Sequence, residues 1–572
     1  MLNFTIKTNP TTQAKWLETS LSGKPLLTTP QLNKGTAFSK EERHHFELTG
    51  KLPIHIESLE TQCERSFLQY QSYDSPLQKN IYLNKLHDTN QVLFYKLLQQ
   101  HAAEMIPIIY TPTVGIAVEK FSREFQQARG LYISYEDRHI IEEILDNRSN
   151  PEIDLIVASD GGGVLGIGDQ GIGAMLIPVA KLMVYSICGG INPLRTLPIL
   201  LDAGTDNEAL LQDPFYLGSR HGRISGEQYD EFIELFIRAV KKKFPKVFLH
   251  WEDFGRDNAR RILQNYQHQI CSFNDDIQGT GATTLAALLA AVKSTQSTLE
   301  QQRIIIFGGG NAGTGIADQL FDAIVRTGVA PQDARSRFWI IDKHGLLIDT
   351  MQDLTPAQKP FARPASDVAH WPSGGKAEIS LLEVIKQVQP TVLIGCSARG
   401  GAFTQEIIET MASLVAQPII FPLSNPTEKA EATPQDVLNW TQGQALIACG
   451  SPFPPVSFQG ETRRIAQCNN ALIFPGMGLG VIAVKANRVT DNMLWAACEA
   501  LNRCAPIHDD PHAPLLPSID QAHQSARDIA IAVATQALAD GVATMPSGAT
   551  IISCVDSQYW FPEYLPFHRV DG

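Results

Sequence analysis

The spacing of apolar residues divides the chain into two parts with different predicted structure. In the first ~150 residues, apolar side chains recur at helical spacing, as they do over 92–98. A buried helix is predicted over 174–187 and an amphipathic helix over 228–244. From about residue 300, short β-branched runs alternate with helical patterns, which is typical of a parallel sheet covered on both faces.

The strongest local motif follows the first of these β-branched runs. Strands are predicted at 304–307, 338–341, 391–394, 419–421 and 446–448. The first strand leads into a G-x-G-x-x-G motif and then a helical pattern, so the pyrophosphate of a dinucleotide can approach the start of the helix. An acid at the end of the next strand is placed to bind the adenosine ribose. A Gly-rich turn without a ligand is the weaker alternative. The predicted cofactor-binding residues here are Gly308, Gly310, Ala312, Gly313 and Asp342.

Two acidic clusters precede the glycine motif, Glu252-Asp253 and Asp275-Asp276. Either alone could be a helix cap or a turn. Together, beside a predicted dinucleotide domain, they predict a site for a hard divalent cation, which prefers several oxygen ligands. Because Asp275 and Asp276 are adjacent, we expect their side chains to diverge, one toward the metal and the other toward a second partner.

Two further side chains have both an ordinary and a catalytic interpretation. Lys181 is a lone cation in an apolar helical stretch, and such lysines usually extend to the surface. In a pocket beside a divalent cation it would have a lowered pKa and could act as a general base. Tyr110 ends an apolar run before a turn, and by itself it is predicted to be a packed tyrosine.

Composition and charge exclude several classes of protein. The chain has 47 basic and 60 acidic residues, a net charge of −13 that argues against nucleic-acid binding. Its nine cysteines are scattered and form no CxxC, which favours reduced thiols in a cytoplasmic protein. No apolar run is expected to reach the ~20 residues that a membrane helix needs. The longest candidate, 471–484, is interrupted by Pro475 and three glycines.

In sum these motifs resemble those of the malic enzyme family, which includes the malolactic enzymes. The resemblance extends in order over about residues 80 to 560, which makes chance a poor explanation. The matching segments are Ile109-Tyr110-Thr111-Pro112-Thr113, Leu165-Gly166-Ile167-Gly168-Asp169-Gln170-Gly171, Asp202-Ala203-Gly204-Thr205, Trp251-Glu252-Asp253-Phe254, Phe273-Asn274-Asp275-Asp276-Ile277-Gln278-Gly279-Thr280, Leu423-Ser424-Asn425-Pro426-Thr427 and Ala466-Gln467-Cys468-Asn469-Asn470.

The resemblance implies roles at the matching positions. Glu252, Asp253 and Asp276 would bind Mn²⁺ or Mg²⁺, and Asp275 would orient Lys181. Lys181 would take the proton from the C2 hydroxyl of L-malate, and Tyr110 would protonate the enol at C3. Asn425 and Asn470 would hold the substrate near the nicotinamide, so Asn425 also counts as a cofactor-binding residue.

One position departs from the family pattern. Oxidative malic enzymes usually carry Asp-Gly-Glu-Arg where this chain has Asp160-Gly161-Gly162-Gly163, so the arginine expected to clamp a substrate carboxylate is absent at Gly163. Malolactic enzymes commonly have glycine there. Candidates to replace the arginine, by proximity to family motifs alone, are Arg220, Arg223 and Arg256.

The resemblance predicts an α/β fold with a helix-rich N-terminal catalytic domain and a Rossmann-type doubly wound parallel sheet. The expected domains are 1–277 for substrate, metal and catalysis, 278–536 for NAD, and 537–572 as a docked tail. The leading hypothesis is NAD- and metal-dependent oxidative decarboxylation of L-malate to pyruvate and CO₂. The alternatives are malolactic conversion to L-lactate and CO₂ with retained NAD, and a non-catalytic nucleotide-sensing protein. A cytoplasmic homo-oligomer, dimer or tetramer, with no nucleic-acid or membrane partner is expected.

Overall fold

The computed structural model describes residues 3–164, 166–373 and 378–571. Leu165, in one of the family-like segments, lies outside the described residues. The described chain forms two compact units. The first unit contains the described residues up to 158, residues 170–247 and the described residues from 558 onward. The second unit contains the described residues of 159–169 and 248–557. The expected three-domain division at 277 and 536 stays a prediction.

The first unit combines a helical N-terminal half with short parallel strands. Parallel pairing joins β3 to β5, with β4 next to β5 in the strand order. Its strands are β1 (Phe4–Thr8), β2 (Lys15–Thr19), β3 (Leu131–Ser134), β4 (Leu155–Ser159) and β5 (Thr196–Asp202). Its helices are α1 (Gly23–Leu27), α2 (Lys40–His45), α3 (Leu59–Gln71), α4 (Pro76–His87), α5 (Gln91–Gln100), α6 (Ala102–Ile109), α7 (Thr113–Glu119), α8 (Phe121–Glu124), α9 (Ile141–Asp146), α10 (Leu176–Gly189), α11 (Glu208–Gln212) and α12 (Gly226–Lys243).

Helix α10 is the central buried helix of the first unit. Every residue from Ile177 to Gly189 is buried, because the helix is apolar on all sides and contacts other elements around its circumference. Together with the preceding 3₁₀ turn it forms the helix Gly171–Gly189, long and apolar enough to cross a membrane by length and composition alone. This corrects the expectation that 471–484 is the longest apolar run. Almost all of Gly171–Gly189 is buried inside the molecule, and a core helix passes such a test as readily as a membrane helix.

The last residues of the chain pack onto the first unit. Strand β17 (Phe567–Arg569) pairs in parallel with β2. The backbone N–H of Trp560 donates to the carbonyl of Gly190 at 2.7 Å. The Tyr564 hydroxyl donates to Gln62 and accepts from Asn90, both at 2.7 Å. Aromatic residues of the tail therefore fill hydrogen-bonded positions on this unit.

Among its described residues, the second unit contains a seven-stranded sheet and four further strands, β6, β7, β14 and β15. Its strands are β6 (Phe248–Trp251), β7 (Ser272–Asn274), β8 (Ile304–Phe307), β9 (Phe338–Asp342), β10 (Gly345–Leu346), β11 (Val392–Gly395), β12 (Ile419–Pro422), β13 (Leu446–Cys449), β14 (Val456–Phe458), β15 (Glu461–Arg463) and β16 (Ala466–Gln467). Its helices are α13 (Arg256–Tyr266), α14 (Thr280–Ser294), α15 (Asn311–Arg326), α16 (Pro331–Arg335), α17 (Ala365–Val368), α18 (Leu381–Val388), α19 (Gln405–Leu414), α20 (Pro434–Trp440), α21 (Phe474–Ala483), α22 (Asp491–Arg503), α23 (Ala522–Ala539) and α24 (Ile551–Gln558).

The order of this sheet is β10-β9-β8-β11-β12-β13-β16, with all pairs parallel except β10 against β9. The order reverses direction between β8 and β11, and ligands of doubly wound sheets bind at such a switch point. Strands β8, β11, β12 and β13 are buried at every residue, which explains their continuous apolar sequence. The predicted α/β class with a Rossmann-type sheet is confirmed.

Candidate active site

Three carboxylates of the second unit converge on one point. Oxygen atoms of Glu252, Asp253 and Asp276 lie within 4.8 Å of one another, and all three residues are buried. Buried like charges this close destabilise one another unless a cation compensates them. Oxygen ligands of this number and charge are those that Mg²⁺ and Mn²⁺ prefer, so the residues present fit a divalent cation.

The local backbone explains how these three side chains meet. Strand β6 is fully buried and ends at Trp251, which places Glu252 at its carboxyl end. Asp253 has a left-handed backbone with φ 56°, a conformation that aspartate tolerates better than most residues and that is frequent at functional sites. Asp276 lies in a π-helical turn, Asp275–Gly279, a feature that often marks functional sites. The N–H of Asp253 donates to Asp276 Oδ2 at 2.8 Å and joins the two segments.

Asp275 has a different set of neighbours from Asp276. Its Oδ2 accepts a hydrogen bond from Asn470 Nδ2 at 2.9 Å, and the same amide reaches the Thr280 hydroxyl at 3.0 Å. Asp275 is fully buried. Two predicted site residues, Asp275 and Asn470, are thus in direct contact.

His250 is a site residue that our sequence analysis did not assign. It is fully buried in β6, and its Nε2 lies 2.6 Å from Glu252 Oε2. It also belongs to a second group of closely spaced ligand atoms with Glu252 and Asp275. Extended backbone places side chains two positions apart on the same side, so a contact between His250 and Glu252, directly after the strand, could have been anticipated.

The glycine motif forms the predicted turn between β8 and α15. Gly308 has φ 119°, and a side chain there would clash with the Cys396 backbone. A side chain at Gly313 would clash with the Gly308 carbonyl. A side chain at Gly310 would meet nothing within 4 Å, so the backbone there is open to an approaching ligand. Tight turn, close packing and open approach are the three requirements of a pyrophosphate cradle, so the residues fit a dinucleotide.

Asp342 ends β9 beside this turn. Its Oδ2 accepts from Gln358 Nε2 at 2.7 Å and lies 3.4 Å from Arg256 Nη2. Gln358 and Arg256 also donate to the Gly309 carbonyl, both at 3.0 Å. Lys343, the next residue, lies 3.9 Å from Asp353 on the exposed surface.

A buried glutamate joins the loops that follow β11 and β12. Glu431 is fully buried, and its Oε1 accepts from the Ser397 N–H and hydroxyl, both at 2.8 Å, and from the Ser424 hydroxyl at 2.6 Å. Asn425 follows Ser424 directly, and its Oδ1 accepts from the Ser451 hydroxyl at 2.6 Å. Glu431 was not singled out by the sequence analysis, yet it fixes the backbone on which Asn425 stands.

Gly163 lies against the segment that carries Asp253. Its N–H donates to the Asp253 carbonyl at 3.1 Å, and a Cβ at this position would stand 2.8 Å from the Phe254 carbonyl oxygen. In the same loop, a Cβ at Gly166 would stand 2.5 Å from the Asn425 carbonyl oxygen. The position where relatives of the oxidative type carry arginine is therefore closed by backbone.

Three cysteines stand at the carboxyl ends of the sheet strands, Cys396 after β11, Cys449 at the end of β13 and Cys468 after β16. Burial raises the pKa of the Cys468 thiol to about 12, and the Thr284 hydroxyl lowers it only partly. Burial likewise raises the pKa values of Cys396 and Cys449. Neutral thiols are poor nucleophiles, so these groups act as packing.

The first unit holds the other predicted pair, Tyr110 and Lys181. Lys181 is buried in α10, with Nζ 5.1 Å from the centre of the Tyr110 ring. Tyr110 follows the last residue of α6 and is also buried. The ordinary expectation for a lone lysine, that it reaches the surface, is wrong here.

The remaining candidates for a replacement clamp have other partners. Arg220 donates to the backbone carbonyls of Asp213, Pro214 and Tyr216. The backbone N–H of Arg223 donates to Asp206. The Arg220 guanidinium is therefore already engaged by the backbone of its own loop.

Comparisons with known proteins agree with this geometry. A family model described as "Malic enzyme, N-terminal domain" matches residues 87–267, and one described as "Malic enzyme, NAD binding domain" matches residues 277–538. The chain is 48% identical over 548 residues to an NAD-dependent malic enzyme of Shewanella sp. (strain MR-4), covering 96% of this chain and 97% of that one. It is 47% identical to an NAD-dependent malic enzyme of Aeromonas hydrophila over the same shares of both chains.

Solved structures show the same fold at lower identity. The malic enzyme of Entamoeba histolytica superimposes with a TM-score of 0.55 at 22% identity, covering 90% of each chain. That of Pyrococcus horikoshii Ot3 gives 0.52 at 22% identity, covering 80% of this chain and 88% of that one. The buried carboxylate triad, the dinucleotide cradle and the near full-length similarity lead to one conclusion: the chain belongs to the malic enzyme family.

Proposed function

We propose that this chain is an NAD-dependent malic enzyme that converts L-malate to pyruvate and CO₂ with a divalent cation, Mn²⁺ or Mg²⁺. The observation that carries the proposal is the buried triad of Glu252, Asp253 and Asp276, in the same unit as a Rossmann cradle. Relatives named as NAD-dependent malic enzymes at 48% identity support the substrate and the cofactor.

In the proposed reaction the chain's own residues handle protons and positions. Lys181 takes the proton of the C2 hydroxyl as the hydrogen on C2 leaves as hydride, and Tyr110 donates a proton to C3 after CO₂ has left. Their proximity, 5.1 Å from Nζ to the ring centre, supports a paired role. When bound, NAD accepts the hydride and the cation polarises the C2 oxygen.

The amide residues are proposed to position the reactants. Asn470, held by Asp275 and Thr280, would orient substrate, and the resemblance further assigns Asp275 to Lys181. Asn425, supported through Ser424 and Glu431, would lie against substrate and nicotinamide. Fixed polar groups of this kind lower the cost of orienting reactants.

The decisive experiment follows products rather than rate alone. Purified protein with L-malate, NAD and Mn²⁺ should form free NADH and pyruvate in equal amounts. A malolactic reaction would give lactate with catalytic NAD and no net NADH, and a nucleotide sensor would bind NAD without turnover. Either of those results would contradict the proposal.

We further propose a cytoplasmic homo-oligomer, a dimer or a tetramer. All nine cysteines are free, which supports a reducing compartment. Light scattering coupled to size exclusion would give the mass of the particle, and a monomer would contradict the oligomer.

A further inference from the structure

A cavity of about 240 Å³ opens beside the start of α15. Its lining includes Gly309 and Gly310 of the cradle and three arginines from α13, which are Arg256, Arg260 and Arg261. A cavity that three arginines line is suited to phosphate, which guanidinium groups bind in a bidentate manner.

The three arginines are not equivalent. Arg260 is paired with Asp318 at 2.6 Å and also donates to Thr314 at 3.2 Å. Arg261 donates to the Asn258 side chain at 2.7 Å. Arg256 instead contacts the glycine turn and the end of β9. Its Nη2 lies 3.0 Å from the Gly309 carbonyl oxygen and 3.4 Å from Asp342 Oδ2. Its side chain is 47% exposed, so it can meet a ligand without leaving a buried position.

Asp342 and Arg256 therefore place opposite charges at the predicted adenosine ribose. In Rossmann folds an acid at the end of the second strand binds the ribose 2′-hydroxyl, and a nearby arginine accommodates the 2′-phosphate of NADP. An acid alone would repel that phosphate. Here the acid has an arginine at its side and accepts a second hydrogen bond from Gln358.

We infer that Arg256 is a specificity-determining residue that contacts the 2′ position of the adenosine ribose and lets this chain bind NADP in addition to NAD. The inference rests on the proposed use of a dinucleotide. Asp342 keeps NAD the better cofactor, and Arg256 supplies the charge that a 2′-phosphate needs. Lys343, adjacent in sequence, has Asp353 as its ion-pair partner, at 3.9 Å, whereas Arg256 lies beside Asp342.

The test measures binding of two fragments to the full-length protein by calorimetry, ADP-ribose and 2′-phospho-ADP-ribose. The wild type should bind both. Arg256→Gln should weaken binding of the 2′-phospho fragment by about tenfold to a hundredfold, the range for a lost charged hydrogen bond, and should change ADP-ribose binding by less than about threefold. The ratio of kcat/KM for NADP to that for NAD should fall in parallel.

Lys343→Gln is the matched control, because it removes one positive charge next to Asp342 in sequence and should move neither affinity. The inference is overturned if the wild type does not bind the 2′-phospho fragment, or if Arg256→Gln weakens both fragments equally. Since the fragments lack nicotinamide, their binding does not depend on malate turnover. Failure of malate oxidation with normal fragment binding would reject the proposed function and leave this inference intact.

Discussion

Asn470 donates a hydrogen bond of 2.9 Å to Asp275 across 195 residues of sequence. Its partner carboxylate is fully buried, and the Thr280 hydroxyl lies 3.0 Å from the same amide nitrogen. The contact joins the π-helical turn before α14 to the 3₁₀ turn before α21. One amide thus ties together two segments that family resemblance assigns to separate roles.

Asn470→Ala should lower kcat by about tenfold or more, because a buried carboxylate that loses its donor costs ~1–3 kcal/mol. Asn470→Asp should be more severe, since it sets a second acid against Asp275. We would measure kcat and KM for malate together with the melting temperature. Asn439→Ala, on α20 in the same unit, is the control. Unchanged kcat in Asn470→Ala would contradict the role of this contact.

Removal of the divalent cation should abolish turnover. The triad of Glu252, Asp253 and Asp276 is buried, so we expect a bound cation to compensate its charges. An excess of chelator should stop NADH formation, and Mn²⁺ or Mg²⁺ should restore it. Asp276→Ala should be inactive while calorimetry still detects NAD binding, whereas Asp333→Asn, at an exposed acid on α16, should behave as wild type. Full activity in chelator would exclude the metal assignment.

The strands of the Rossmann sheet were predictable because they are buried on both faces. The run 304–307 matches β8, and 419–421 and 446–448 fall one residue short of β12 and β13. Asp342 ends β9, where the pattern placed an acid for the ribose. Each of these features depends only on residues that are close in sequence. Apolar periodicity carries information over such short windows, so these features could be predicted.

Side-chain partners distant in sequence were beyond the same reasoning. Nothing near Glu431 indicates that its carboxylate accepts hydrogen bonds from Ser397 and Ser424. The segment 159–169 groups with the second unit although the flanking chain belongs to the first, and no composition shift marks that crossing. For Lys181 the residues alone left a surface position and a buried one open, because only tertiary packing decides between them.

Glu431→Gln should raise KM for NAD while leaving the fold intact. The amide that replaces one carboxylate oxygen is a donor, and it would face the backbone N–H of Ser397 or Ser424, which cannot accept. Loss of such a buried charged network typically costs ~2–4 kcal/mol. The experiment compares KM for NAD, kcat and melting temperature with those of Glu428→Gln, an exposed neighbour. Equal KM in the two variants would show that Glu431 does not position the Asn425 loop.

Stability should fall as pH decreases from about 6.5 to 4, in part because of His87. Burial, reinforced by the Arg129 charge, lowers the pKa of His87 to about 4 despite the neighbouring Asp88. Between that value and the unfolded pKa of about 6.5, the unfolded chain takes up a proton that the folded chain does not, so folding loses up to ~3 kcal/mol on acidification. Above pH 6.5 the group contributes no pH dependence. His87→Gln should flatten the melting temperature over this window, and an unchanged slope would contradict the assignment.

The backbone around Gly163 determines whether the arginine of oxidative relatives can be introduced at this position. A Cβ there would stand 2.8 Å from the Phe254 carbonyl oxygen, and the Gly163 N–H is bonded to the Asp253 carbonyl. Gly163→Ala should therefore displace the segment that carries Asp253. Overpacking of this kind costs ~1–3 kcal/mol, which corresponds to about fivefold to a hundredfold weaker activation by Mn²⁺.

Gly255→Ala provides the matched control for this position. It lies in the adjoining segment, and its Cβ would meet its nearest neighbour at 3.8 Å, an ordinary contact. We expect Mn²⁺ activation close to wild type in Gly255→Ala, weakened activation in Gly163→Ala, and no gain in malate affinity in Gly163→Arg. If Gly163→Arg lowered KM for malate with Mn²⁺ activation unchanged, the backbone around residue 163 would have accommodated the arginine side chain. The backbone contact at Phe254 would then not be what keeps this position a glycine.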